Sequence, residues 1–116
     1  MTEWFVVSTL CMHAMGWQPS KPPERAFRTC MEVGVGAVES DLPPHIAVAL
    51  SYTESRFNPE AESSVGALGP LQVLPRYHCP DRSADGCDLV AAGLSALRRY
   101  RTKYKNWAKA LCHWNS

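Results

Sequence analysis

The sequence predicts a small, mostly α-helical single domain with a cleft and, at most, one short β-hairpin. Three observations carry that prediction. Apolar residues recur at helical spacing along most of the chain, interrupted by a Pro-rich linker at residues 18–23 and by a longer Gly- and Pro-punctuated stretch between residues 58 and 88. The length of 116 residues, at 46% hydrophobic and 20% charged, allows one modest core and one cleft but no second domain. A formal net charge of +1 supplies no global field for nucleic acid or an anionic membrane.

The elements follow in order. Trp4 to Met15 (WFVVSTLCMHAM) is apolar but too short to span a bilayer as a helix. Glu3 is the only early charge, and Met12-His13-Ala14 is a poor cleavage site, so residues 1–22 read as an N-terminal arm or a signal segment that runs into a Pro-rich linker. Residues 23–116 form the domain proper. Glu24 to Val38 reads as a helix that buries Ala26, Phe27, Cys30, Met31 and Val38, with Gly34 and Gly36 placed for close helix packing. After the turn Glu39-Ser40-Asp41, Pro43 and Pro44 suit a second helix start, and Ile46, Ala49, Leu50 and Thr53 at i, i+3, i+4 and i+7 mark its buried face. Asn58-Pro59 is the expected stop. Residues 63–68 read as irregular turns or a small hairpin, and Val73 to Asp88 as a loop. From Asp88, a plausible N-cap, Val90, Gly93, Leu94, Leu97, Tyr100 and Tyr104 make a third buried stripe, with Gly93 permitting close helix contact. Arg98, Arg99, Arg101, Lys103 and Lys105 crowd its last turns, where cations complement the helix dipole. A final helix, Trp107 to Asn115, closes the chain.

Five cysteines are many for this length and lean toward an oxidising compartment or a virion. Cys79 and Cys87 share one loop and are the first candidate disulfide; Cys30 with Cys112 is the next. His78-Cys79 and Cys112-His113 offer zinc-type ligands, but no C-x-x-C or H-x-x-x-H spacing appears, so neither metal nor cofactor is expected.

The chemistry centres on Glu54 to Gln72, ESRFNPEAESSVGALGPLQ. Glu54 falls in the last turn of a predicted helix, at the negative end of its dipole, where partial burial favours the protonated carboxyl that a general acid needs. Gly66 and Gly69 permit tight turns or close approach to a ligand, and Gln72 offers an amide donor and acceptor. In this stretch the chain resembles the lytic transglycosylase (SLT) domain of the lysozyme-like superfamily. Glu54, Ser55, Phe57, Pro59, Ala61, Ser63, Gly66, Ala67, Gly69 and Gln72 stand in register with the family pattern, and Leu71 replaces its Met. The likeness extends loosely over residues 23–116 and ends at LCHWNS, where Trp114 and Asn115 stand for a Tyr-Asn pair.

That resemblance implies an α+β lysozyme-like fold of mostly helical character, with peptidoglycan as substrate. It implies Glu54 as the catalytic acid and then base, and Ser55, Gly66, Ala67, Gly69, Gln72, Tyr77, Trp114 and Asn115 around the glycan. Ser55 would support the carboxylate and Gln72 would bond an N-acetyl sugar. A retaining or inverting glycosidase needs two carboxylates, and only Glu60 and Glu62 lie near, neither in the family's catalytic pattern. Glycan strands are the expected partner, within a larger phage or secretion machine, and the expected place is the periplasm or cell wall, reached by export or with a virion. Three other readings stay open: a muramidase of goose-lysozyme type, a catalytically silent glycan-binding or virion component, and a nucleic-acid-binding helical domain built on Arg98 to Lys105.

Overall fold

Prolines set three of the helix starts. The computed structural model describes residues 2–17 and 23–114. Among them run α1 (Thr2–Ala14), α2 (Pro23–Glu39), α3 (Pro44–Ser55), the single turn α4 (Pro75–His78), α5 (Leu89–Tyr104) and α6 (Trp107–Cys112). Pro23, Pro44 and Pro75 each open a helix, where a missing N–H costs nothing. Asp88 caps α5 by accepting the Ala91 N–H at 3.0 Å, as its position predicts, and Asn106 caps α6 through the Lys109 N–H at 2.8 Å. No helix among the described residues is long and apolar enough to cross a membrane.

Two apolar clusters hold these helices together. One joins α2, α3 and α5 through Val33, Leu50, Leu94 and Leu97, and it takes in Leu71, Val73 and Trp114 from the connecting segments. The other seats α1 on α2 and α3 through Val7, Cys11, Ala26, Cys30, Val48 and Phe57. The α2 glycines make both contacts close: a Cβ on Gly34 would lie 2.6 Å from Val7 Cγ1, and one on Gly36 would lie 2.8 Å from Leu94 Cδ1. Gly93 differs from its expected role. It makes room for the turn segment, with Leu71 Cδ1 2.7 Å from its would-be Cβ, rather than for another helix.

Four further expectations are corrected. Cys30 pairs with Cys11, not Cys112, because α1 lies against α2 and brings the two Cα atoms to 5.8 Å, whereas Cys112 ends α6 at the surface, outside both disulfides. In α2, Thr29, Val33 and Ala37 are buried with Ala26 and Cys30, while Phe27, Met31 and Val38 are only partly covered. The region 73–88 is not all loop, since α4 and a 3-10 turn at Pro80–Arg82 occupy half of it. Finally, α3 buries Ala47, Val48, Leu50 and Ser51, whereas Ala49 and Thr53 are exposed. Of the stripe assigned to the core, Leu50 is buried there, while Ile46, Ala49 and Thr53 border a cleft instead. The linker residues 18–22 and Asn115 lie outside the described residues.

Candidate active site

Side-chain hydroxyls build the turn that follows α3. The helix ends at Ser55, earlier than Asn58-Pro59 predicts, because Arg56 (φ 54°) and Phe57 (φ 61°) both take the left-handed conformation. Two such residues in succession are costly without glycine and persist only where the surroundings fix them. Here they are fixed. Phe57 is buried against Tyr52 and Trp17, and the Arg56 guanidinium lies 4.3 Å over the Tyr52 ring. Ser51 and Ser55 both donate to the Pro70 carbonyl, at 3.1 and 2.8 Å, which ties the Gly66–Gln72 turn to the end of α3.

Inside that turn Gly66 (φ 87°) and Gly69 (φ 81°) occupy the left-handed region that their place in the motif requires. Ser63 and Ala67 bond across it at 2.9 Å, and isolated bridges pair Leu68 with Glu62 and Val73, a stitched turn in place of a regular hairpin. Gln72 is buried and left-handed (φ 54°), and its Nε2 donates to the carbonyls of Ala61 and Gly69, each at 3.1 Å. These bonds make Gln72 a fastener of the turn. We expect Gln72→Ala to cost about 1–3 kcal/mol, because it removes the donor from two inward-facing carbonyls. Thermal melting checks this, and an unchanged midpoint would remove the fastening role.

Glu54, half-buried in the last turn of α3, opens onto a cleft of about 230 Å³ with Ile46, Ala49, Leu50, Thr53, Leu111 and Trp114. Glu54 is the one carboxylate in this described lining. Glu60 is held by Arg25 at 3.0 Å on the far side of the turn's first residues, and Glu62 is exposed. Trp114 is 92% buried, donates its indole N–H to the Leu71 carbonyl at 3.0 Å and still borders the cleft, so it closes the core and walls the site at once. Leu71 and Tyr52 belong to the two cores. Ser55, Gly66, Ala67, Gly69 and Gln72 form the turn behind, and Tyr77 is 66% exposed on α4 beside His78. Ile46, Ala49, Leu50, Thr53 and Leu111 are the lining residues that sequence reasoning did not assign to the site. A larger groove of about 540 Å³ lies between α1, α2 and α5, but its acids Glu32, Glu39 and Asp88 stand outside the motif. Among the described residues no group of three His, Cys, Asp or Glu side chains is placed to hold a metal ion.

The basic end of α5 is largely exposed, and four of its side chains make contacts with neighbouring groups of the domain. Arg98 donates to the Ser40 carbonyl at 3.1 Å, Arg99 to Ser95 Oγ at 2.9 Å, and Arg101 and Lys103 lie over the Trp107 and Tyr104 rings. Residues 33–116, from the middle of α2 through the cleft wall, match the Transglycosylase SLT domain family. The chain belongs to that family. No curated protein and no solved structure matches it. The SLT match starts inside α2, so the helix that carries Gly34 and Gly36 is shared between matched and unmatched sequence. What precedes it, α1 and the first half of α2, is tied together by the Cys11–Cys30 bond and packs on the SLT region through the cluster that Val7, Cys11 and Cys30 share with Val48 and Phe57.

The SLT domain carries the expected Cys79–Cys87 disulfide, with Cα atoms 5.7 Å apart, directly after α4. It closes a loop only eight residues long and is half-buried, whereas Cys11–Cys30 is fully buried. We expect mild reductant to open Cys79–Cys87 first and to lower activity before the domain unfolds. Peptide mapping without reduction should recover both pairs, with Cys112 in neither. Free thiols at 79 and 87 in protein from its native compartment would refute the assignment.

Proposed function

We propose that this SLT domain is a peptidoglycan lytic transglycosylase that cleaves the β-1,4 bond between N-acetylmuramic acid and N-acetylglucosamine. The supporting observation is Glu54, the single carboxylate in the described lining of the cleft, mounted in the last turn of α3 by a family-specific turn. A single carboxylate suits a reaction in which the substrate supplies its own nucleophile. Glu54 gives its proton to the glycosidic oxygen as the bond to C1 breaks, and the N-acetyl group of the muramic residue stabilises the cation at C1. The same carboxylate, now a base, takes the proton of the C6 hydroxyl, whose oxygen bonds C1 and closes a 1,6-anhydro ring. Protons balance and no water is consumed.

On this reading Thr53, Leu111 and Trp114 shape the groove for the sugar next to Glu54, while Ser55, Gly66, Ala67, Gly69 and Gln72 hold the carboxylate's mount in place. Tyr77, exposed at the end of α4, and Asn115 would extend the glycan contact. Peptidoglycan lies outside the cytoplasmic membrane, and two disulfides suit an oxidising place of action, either the periplasm or wall reached by export or a virion that delivers the domain there. The buried Cys11–Cys30 bond and the seating of Val7 favour α1 as a working part of the domain.

The product decides the reaction. Mass spectrometry of muropeptides released from purified sacculi should find anhydromuramic ends, each about 18 mass units lighter than the reducing ends that hydrolysis leaves. Reducing ends alone would make the protein a muramidase. No release between roughly pH 4 and 8 would leave a glycan-binding or structural component.

A further inference from the structure

His78 stands outside the motif, yet it packs against the wall of the Glu54 cleft. It ends α4, and its imidazole lies parallel to the Trp114 indole, 4° between planes and 6.5 Å between centroids. Tyr100 of α5 meets both rings at a steep angle, 6.5 Å from His78 and 5.3 Å from Trp114. Arg99, also on α5, brings Nη2 to 3.1 Å from His78 Nδ1. A guanidinium has donors and no acceptor, so Nδ1 must accept and the ring hydrogen must sit on Nε2. In this arrangement the imidazole is neutral.

We infer that His78, bonded at Nδ1 by Arg99 and stacked on the indole, is a positioning residue that holds the Trp114 wall of the cleft and loosens it when the ring takes a second proton. Protonation at Nδ1 removes the acceptor and sets two cations within hydrogen-bonding distance of each other. The indole cannot compensate, because its centroid lies beyond the roughly 6 Å reach of a cation–π contact. Among the described residues, the titratable and charged groups about His78 are Arg99 and Tyr100 from α5 and Arg76 and Tyr77 from its own helix, and no carboxylate of the described residues contributes to its shift. Burial, with the Arg99 charge added, pushes the imidazole below its ordinary value of 6.5. The sign follows from the lowered value: the packed arrangement is complete above pH 6.5 and is lost as pH falls from there through the lower folded value. The Cys79–Cys87 bond begins at the next residue, which anchors the end of α4 while the ring titrates. Trp114, also held by its hydrogen bond to Leu71, the edge of Tyr100 and the first apolar cluster, is the member of that cluster that meets both the His78 ring and the cleft, so the response is a shift of its ring within the wall.

This inference rests on the transglycosylase reading only for its kinetic consequence, so the test has one arm that needs no turnover. The His78 ring signals and the Trp114 indole N–H resonance are followed by NMR on the intact protein from pH 8 to 4, assigned with His78→Phe and Trp114→Phe. Both are expected to move with a common midpoint below 6.5, and Arg99→Met is expected to raise that midpoint. A Trp114 resonance that stays still while His78 titrates overturns the coupling, and an unmoved midpoint in Arg99→Met overturns the part given to Arg99. In the kinetic arm, His78→Ala should lower kcat/KM on sacculi about tenfold at neutral pH, through displacement of the wall. His78→Phe, which keeps a flat ring on the indole, should recover most of that loss and flatten the acid side of the profile. An acid limb unchanged in His78→Phe overturns the switch, and melting curves of each variant separate wall displacement from unfolding.

Discussion

Glu54→Gln should leave the fold and glycan binding intact while removing at least about a thousandfold of activity, because the amide keeps the shape of the side chain but has no proton to give. The expectation comes from the described lining of the cleft, in which no second carboxylate stands ready to take over. Glu60 is engaged with Arg25, and Glu62 is exposed on the turn. A side chain half-buried at a helix end makes few packing contacts, so the melting temperature should stay close to wild type. The comparison needs burst-free initial rates on soluble glycan strands and a pull-down on sacculi for binding. Loss of only a few-fold would remove Glu54 from the chemistry. Loss of activity together with binding would make it a contact for substrate instead of an acid.

Much of this site was legible because the motif is dense in residues with a single physical job. Gly66 and Gly69 take left-handed backbone, and Asp88 caps a helix. Such roles depend on neighbours a few residues away, which a sequence displays. The errors came where distant segments decide. Ile46, Ala49, Leu50 and Thr53 have core periodicity, but α2 packs on the adjoining face of α3, so of the four Leu50 alone joins the core and the others line the cleft with Leu111 and Trp114. An apolar face suits a sugar-binding groove as well as a core, so periodicity alone could not separate the two.

Other misses have similar causes. The helix stop at Ser55 could not be read because Arg56 and Phe57 are not residues that favour positive φ; packing of Phe57 under Tyr52 and Trp17 imposes it. The Cys11–Cys30 pair was hidden by treating the first segment as arm or signal. Val7, Cys11 and Ala14, at i, i+4 and i+7, were the available sign that one face of that segment is buried. The fastening bonds of Gln72, from its amide nitrogen to Ala61 and Gly69, were likewise hidden, since the resemblance speaks only of a substrate contact.

Trp114→Ala should cost about 3–5 kcal/mol, the range for deleting a large buried aromatic side chain, because the surrounding structure cannot collapse fully into the space. Several neighbours lose contact together. Leu71 loses the indole N–H bonded to its carbonyl, His78 and Tyr100 lose the ring between them, and the first core cluster loses its member nearest the cleft. For a domain of this size that cost lowers Tm by roughly 10–20 °C. Total stabilities of about 5–15 kcal/mol leave some of the protein folded at room temperature, so activity can be measured on what remains. It should fall as well, since one wall of the Glu54 cleft is gone. Trp114→Phe separates the two roles: the ring stays while the N–H is lost, so about 1–3 kcal/mol should go with only a modest change in kcat/KM. Denaturant titrations monitored by far-UV circular dichroism give the stability term, and rates on glycan strands give the other. A large rise in KM for Trp114→Phe at unchanged stability would show that the indole is chiefly a sugar platform. A stability loss below about 1 kcal/mol for Trp114→Ala would show that the core does not need it.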